Sequence, residues 1–159
     1  MAPLPSAGLL LFRRPDGEVE ILIAHMGGPF WAKKDDRAWS IPKGEYREGE
    51  DPLAAARREF EEELGSPPIE GELLDLGEVR QSSGKRVRAW AVEGDLDATS
   101  ITSNTFEIEW PPRSGRMQEF PEIDRAAWVD PDTARAKLVK GQVEFVDRLV
   151  EQLGRRSDA

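Results

Sequence analysis

The sequence predicts an α/β fold, a mixed central sheet with helices on both faces. Three observations carry this expectation. Strand-like apolar segments flank one well-capped helix near the middle of the chain, and two more helical segments close it. Strand and helix do not alternate strictly, which disfavours a doubly wound parallel sheet. At 159 residues the chain fits a single domain large enough to bury a core, assigned to residues 1–154 with a frayed tail over 155–159.

The elements follow in order. "AGLLLFRRPDGEVEILIAH" reads as two strands joined at "RPDGE", where Pro, Asp and Gly supply turn chemistry. "MGGPFWAKKDDRAWS" is a long loop, and "AWSIP" a short strand that Pro42 terminates. In "EDPLAAARREFEEELG", Asp51 caps the orphan amides, Pro52 suits the first helical position and Gly65 stops the helix. "GELLDLGEV", "KRVRAWAVEG" and "NTFEIEW" are strands, "PPRSGRMQEFPEID" is a second long loop and "AAWVD" a short strand. "DPDTARAKL" repeats the Asp-Pro helix start. "QVEFVDRLVEQLG" is amphipathic, with Val143, Phe145, Val146, Leu149, Val150 and Leu153 on its apolar face.

Composition narrows function. Cysteine is absent, which removes disulfides and thiolate metal sites. The formal net charge of −9 sets up a field that repels polyanions, so no nucleic acid polymer is expected as a partner. The run "GLLLF" is too short for a signal-peptide core or a membrane span, so no membrane partner is expected and a cytoplasmic address follows by default.

The central helix poses the functional question. Glu59, Glu61, Glu62 and Glu63 crowd into "RREFEEELG", although like charges three or four apart repel on a helix. At about 100° per residue, Glu63 lies about 40° to one side of Glu59 and Glu62 about 60° to the other, so these three share a face. Leu53, Ala56, Phe60 and Leu64 form the neighbouring apolar stripe, and Glu61 points away. The acids sit in the second half of the helix, where the dipole disfavours negative charge, with only Arg57 and Arg58 near enough to compensate. An exposed Glu-rich face is the ordinary reading of such a segment. The crowding favours a site for hard cations, for which oxygen ligands suit Mg²⁺ or Mn²⁺. Upstream, "PKGEYREGED" brings Gly44, for close backbone approach or positive φ, and Gly49, for a sharp turn. No G-x-x-x-x-G-K-[ST] loop occurs, so phosphate would be held through metal rather than by a nest of amides.

"GEYREGEDPLAAARREFEEELGS" resembles the Nudix box, G-x5-E-x7-R-E-U-x-E-E-x-G-U with U apolar. Gly44, Glu50, Arg58, Glu59, Phe60, Glu62, Glu63 and Gly65 stand where that pattern asks, and Ser66 departs from its last apolar position, which helps pack the strand after the helix. The resemblance implies an α/β/α sandwich with the box as a loop–helix–loop. It also implies a pyrophosphohydrolase that splits a nucleoside diphosphate linked to another group, using Mg²⁺ or Mn²⁺. Under it Glu59, Glu62 and Glu63 bind metal, the Lys43 carbonyl adds a ligand, and Arg58 and Glu50 orient the acids. Glu59 or Glu62 serves as base. A further acid is expected a few residues before a Trp-bearing strand; Glu122, six positions before Trp128, is preferred, and Glu119 is the runner-up. "AWSIPKGE" is similar to the Trp-x-x-Pro-Lys-Gly entrance of Nudix enzymes acting on dinucleoside polyphosphates. Those substrates and nucleoside triphosphates, damaged ones included, therefore rank above ADP-ribose and nucleotide sugars.

Other residues are weighed against plainer roles. Lys43, Lys85 and Arg86 are assigned to substrate phosphates, and Lys33, Lys34 and Arg37 form a loop charge run able to reach them. Trp31, Trp39, Trp110 and Phe120 lie in or beside loops, where each is a packing residue first and a base-stacking residue second. His25, the lone histidine, is left out of the mechanism. The alternative function is a catalytically weak Nudix domain kept for nucleotide sensing or protein interaction; such modules lose box acids that this chain retains. A monomer or homodimer is expected.

Overall fold

The computed structural model describes residues 4–157. Two strands, β1 (Ser6–Arg13) and β2 (Glu20–Met26), form the antiparallel centre of a seven-stranded sheet, and both are almost wholly buried. Their link is tight because Asp16 (φ 55°) and Gly17 (φ 85°) adopt left-handed backbone. The short β3 (Trp39–Ser40) pairs with β2, and β4 (Lys43–Glu45) pairs with β1. After helix α1 (Pro52–Leu64), β5 (Leu73–Arg80) and β6 (Arg86–Glu93) form a second antiparallel pair. β6 runs parallel to β1, from Ser6 opposite Val87 to Phe12 opposite Glu93, which makes the sheet mixed. A separate hairpin, β7 (Thr105–Glu109) with β8 (Met117–Pro121), stands off the main sheet. β9 (Ile123–Val129) returns to β2, followed by α2 (Pro131–Lys137) and α3 (Val143–Ser157).

Alternation along the strands makes the layers. Ala7, Leu9 and Leu11 of β1 join Ala56, Phe60 and Leu64 of α1 in one cluster. Leu10 and Phe12 join Ala134 of α2 and Phe145, Val146, Leu149 and Leu153 of α3 in the other. Fully burying a side chain such as Phe60 stabilises by about 1.5–3 kcal/mol. The result is the expected α/β/α sandwich with its mixed sheet.

Three segments differ from the sequence reading. Residues 117–121, read as loop, form β8; its side chains are nearly all exposed and carry no two-residue burial rhythm. The strand at "AAWVD" starts earlier, at Ile123, because the backbone already pairs with β2 there. The last helix continues to Ser157, so residues 155–157 are helical, with Arg155 bonded to Glu151 one turn back; residues 158–159 lie outside the described residues. No helix among the described residues is long and apolar enough to cross a membrane.

Candidate active site

The box forms a loop, a helix and a loop, each with a local cause. Asp51 accepts the Ala54 N–H at 3.1 Å and Pro52 takes the first helical position. Gly65 ends α1 in left-handed backbone (φ 75°), its N–H donating to the Glu61 carbonyl at 2.8 Å. Ser66 leaves the apolar position after the helix empty, and Ile69 packs into the α1 cluster instead. Gly44 on β4 is needed for close approach and not for a turn. The carboxylate of Glu59 lies against it, and a Cβ there would stand 2.0 Å from Glu59 Cδ. The Lys43 N–H donates to Glu63 Oε1 at 3.2 Å, tying β4 to the last turn of α1.

These contacts open a cleft of about 610 Å³ beside α1, lined by Lys43, Gly44, Glu50, Arg58, Glu59, Glu63 and Glu122. Of the residues singled out from sequence, the structure brings these seven together. Glu62 sits on the open rim, its side chain 42 % exposed, with Arg58 Nε 3.9 Å from its carboxylate. Arg58 also bonds Glu50 and lies 3.3 Å from Glu59, so one guanidinium spans three box acids. Lys85 reaches the rim through Glu45, at 3.2 Å. Arg86 stays outside the cleft, facing Glu78 of the neighbouring strand at 3.9 Å. Glu119 is exposed on β8 opposite Glu107.

Glu122 enters through a relay of backbone hydrogen bonds. The Asn104 N–H donates to the free Glu62 carbonyl at the end of α1 (2.9 Å), and the Thr102 N–H to that of Leu64 (3.1 Å). The Asn104 carbonyl accepts the Glu122 N–H at 2.9 Å, and the Glu122 carbonyl accepts the Gly27 N–H at 2.8 Å. A Cβ on Gly27 would stand 2.0 Å from the Pro121 carbonyl oxygen, so only glycine lets β2 approach this closely.

The electrostatics follow from burial. Burial pushes the Glu63 carboxyl up to about 8, against the pull of the Lys43 charge. Burial first, then Glu62, raises Glu59 and Glu122 above the ordinary carboxylate range. Burial, reinforced by Lys85, pushes the Lys43 ammonium down. Glu50 is held low by its bond to Arg58. The cleft is thus short of positive charge. Oxygen-only donors lacking full compensation fit a hard divalent cation, although no three acidic or histidine side chains among the described residues stand where one ion would touch them all.

A second cavity of about 290 Å³ shares Lys43, Glu63 and Glu122 with the first, and its far wall carries Trp31 and Phe106. Sequence reading missed Phe106, Gly27 and Gln142. Gln142, fully buried, accepts the Ile41 N–H at 2.9 Å and donates to Ser40 Oγ at 3.0 Å, clamping the box entrance to the start of α3. No local motif flags it, because the clamp joins residues about a hundred positions apart. His25 is buried, bonded through Nδ1 to Asp124 and through Nε2 to the Lys34 carbonyl, and holds the loop before β3 in place. Arg37 donates to the carbonyls of Arg135 and Leu138, and Trp39 is buried, so both are structural.

Comparison with known proteins agrees with this architecture. The NUDIX domain matches residues 2–149. An RNA pyrophosphohydrolase of Rhodospirillum rubrum is 32 % identical over 164 aligned residues, covering 95 % of this chain and 92 % of its own. One from Caulobacter vibrioides is 39 % identical over 141 residues, 75 % of each chain. Among solved structures, a C. elegans Ap4A hydrolase in a binary complex shares the fold with a TM-score of 0.66 at 19 % identity, covering 94 % of this chain and 98 % of its own. The chain belongs to the Nudix hydrolase family.

Proposed function

We propose that this hydrolase is a divalent-cation-dependent pyrophosphohydrolase that splits a P–O–P linkage in a nucleoside diphosphate carrying a further group. The observation behind this reading is the convergence of Lys43, Glu59, Glu63 and Glu122 on one cleft beside the box helix, with Glu59 seated on Gly44. Glu59, Glu62, Glu63 and the Lys43 carbonyl would hold Mg²⁺ or Mn²⁺, with Glu122 joining from the opposite wall. The bound cation supplies charge neutralisation for the diphosphate and acidifies the attacking water.

The chain's own residues do the rest. The Lys43 ammonium faces the substrate phosphates, and Lys85 supports it from the rim. Arg58 and Glu50 fix the direction of Glu59, as outer-shell partners do at metal sites. The proton released on attack goes to Glu59, whose half-buried carboxyl is raised above the ordinary glutamate range. The Trp31 and Phe106 cavity takes the nucleobase by stacking, beside the phosphates. Dinucleoside polyphosphates and nucleoside triphosphates rank first as substrates; the relative named as an Ap4A hydrolase and those named as RNA pyrophosphohydrolases favour substrates that carry a phosphate chain on the 5′ side of a nucleoside. A cytoplasmic setting belongs to the same reading.

The test is a panel of nucleoside polyphosphates incubated with Mg²⁺ or Mn²⁺, with products resolved by chromatography. Turnover that requires the cation and is abolished in a folded Glu62→Gln variant supports the proposal. Nucleotide binding with no turnover on any panel member would favour the sensing module instead.

A further inference from the structure

His25 lies fully buried near the end of β2, where a polar ring costs free energy unless its nitrogens are bonded. Both are. Nδ1 stands 2.8 Å from Asp124 Oδ1, and Nε2 stands 2.7 Å from the Lys34 carbonyl. Trp39 meets the ring edge to face, with centroids 5.0 Å apart, and limits its rotation. The two bonds lead to different walls of the Trp31 and Phe106 cavity.

The Nε2 bond leads to the wall assigned to the base. Lys34 holds Trp31 twice: its N–H donates to the Trp31 carbonyl at 2.9 Å, and its ammonium stands 5.2 Å from the centroid of the Trp31 ring. Anchoring the Lys34 carbonyl therefore fixes the turn that presents Trp31 to the cavity.

The Nδ1 bond leads to the acidic wall. The pairing of β2 with β9 slips by one residue at this point. His25 lies opposite Arg125 but Met26 lies opposite Ile123, which leaves Asp124 bulged out with no partner across the strands. A bulge bends its strand and re-aims the side chains beside it. Glu122 stands two positions before the bulged residue, and its carbonyl accepts the N–H of Gly27, two positions after His25. The His25–Asp124 bond closes this small circuit through side chains and fixes the direction in which the chain passes from Glu122 into β9.

We propose that His25 is a positioning residue that holds the base-binding wall and the Glu122 wall of the site in register, one ring nitrogen serving each. This rests on the reading of the cleft given above and adds a residue placed to act on both walls from behind, through Lys34 and Asp124. Loss of the Nε2 bond releases Trp31 and weakens nucleotide binding. Loss of the Nδ1 bond releases the bulge, displaces Glu122 and slows the chemical step.

Two substitutions each cut one arm. In His25→Asn the side-chain amide takes the place of Nδ1 and keeps Asp124, and in His25→Gln it takes that of Nε2 and keeps the Lys34 carbonyl. The test is steady-state kinetics of the full chain with Mg²⁺ on ATP and on diadenosine tetraphosphate. His25→Asn is expected to raise KM by about five-fold or more, the low end of base–aromatic stacking, with kcat near wild type. Its inhibition constant for inorganic tripolyphosphate, which has no base, should not change. His25→Gln is expected to lower kcat by about 10-fold or more with KM held, as loss of an outer-shell partner does. Asp124→Ala, at an exposed position, should reproduce that loss in the wild type and add nothing to His25→Gln. It also decides the case if a buried substitution fails to fold, since an unchanged kcat in Asp124→Ala would overturn the inference. Equal changes in KM and kcat in both His25 variants, with weaker tripolyphosphate inhibition, would mark a purely structural residue and overturn it too. A wild-type chain that turns over neither probe would overturn the cleft reading and the inference with it.

Discussion

The carboxylate of Glu59 rests on the backbone of Gly44 so closely that a β-carbon on that glycine would stand 2.0 Å from Glu59 Cδ. The obstructing group is the far end of a flexible side chain. Gly44→Ala should therefore fold with little loss of stability while pushing the carboxylate out of place. Misplacement of about 1 Å at a catalytic group is able to cost about 100-fold in rate. A fall of that order in kcat/KM with a near-wild-type melting temperature is the expected result, and retained activity would mean that Glu59 need not lie there.

Arg58 gives a second separation of stability from activity. Its ion pairs with Glu50 and Glu59 lie at the surface, where such pairs are worth about 0–1 kcal/mol. In the proposed role of orienting the box acids, its loss should lower activity by about 10- to 100-fold. Arg58→Ala is expected to melt near wild type with that reduced kcat/KM. Arg58→Lys should not restore it, because an ammonium lacks the planar fork that reaches several acids at once.

Glu63 makes stability depend on pH. Its carboxyl titrates at about 8 in the folded protein, above its ordinary value, so folding takes up a proton between the two. The stabilisation is complete below the ordinary glutamate pKa and is lost as pH rises through about 8. Glu59 and Glu122 are shifted in the same direction, while the depressed Lys43 ammonium acts oppositely, its folded-state penalty easing as pH rises, so the part of the slope that belongs to Glu63 is the part its neutral variant removes. Groups held low, such as Glu50 and Asp97, act in acid below this window. With chelator present, the melting temperature should fall between about pH 5 and pH 8.5, Glu63→Gln should flatten that slope, and millimolar Mg²⁺ should restore the wild type at the alkaline end. A slope identical in wild type and variant would contradict the assignment.

Gly27 tests the relay that delivers Glu122. A methyl group there meets the Pro121 carbonyl oxygen, and backbone does not swing aside as a side chain does. Gly27→Ala should destabilise by about 1–3 kcal/mol, as overpacking does, and lower activity beyond the loss of folded protein. Denaturant titration with assays normalised to the folded fraction would show both effects.

The sheet and the box helix were legible because their signals are local. β1 and β2 are continuous apolar runs, and α1 carries its cap, its first-position proline and its stop glycine within sixteen residues. The hairpin partner β8 was not, since its exposed residues leave no burial rhythm. Glu122 was placed only by analogy; what sets it in the cleft is a chain of hydrogen bonds from Glu62 through Asn104 to Gly27, spread over almost a hundred residues. Basic alternation on β6 singled out Lys85 and Arg86 alike, yet only Lys85 reaches the rim, because strand pairing brings it to Glu45 and leaves Arg86 facing Glu78.

The measurement nearest to the central claim is calorimetric titration of Mg²⁺ into the chain loaded with a methylene-bridged, non-hydrolysable nucleoside diphosphate analogue. Saturable binding in the wild type that disappears in Glu59→Gln and Glu63→Gln, with the analogue still bound and the fold intact, is the predicted result. No binding heat in the wild type at millimolar Mg²⁺, or the same isotherm in all three proteins, would contradict it.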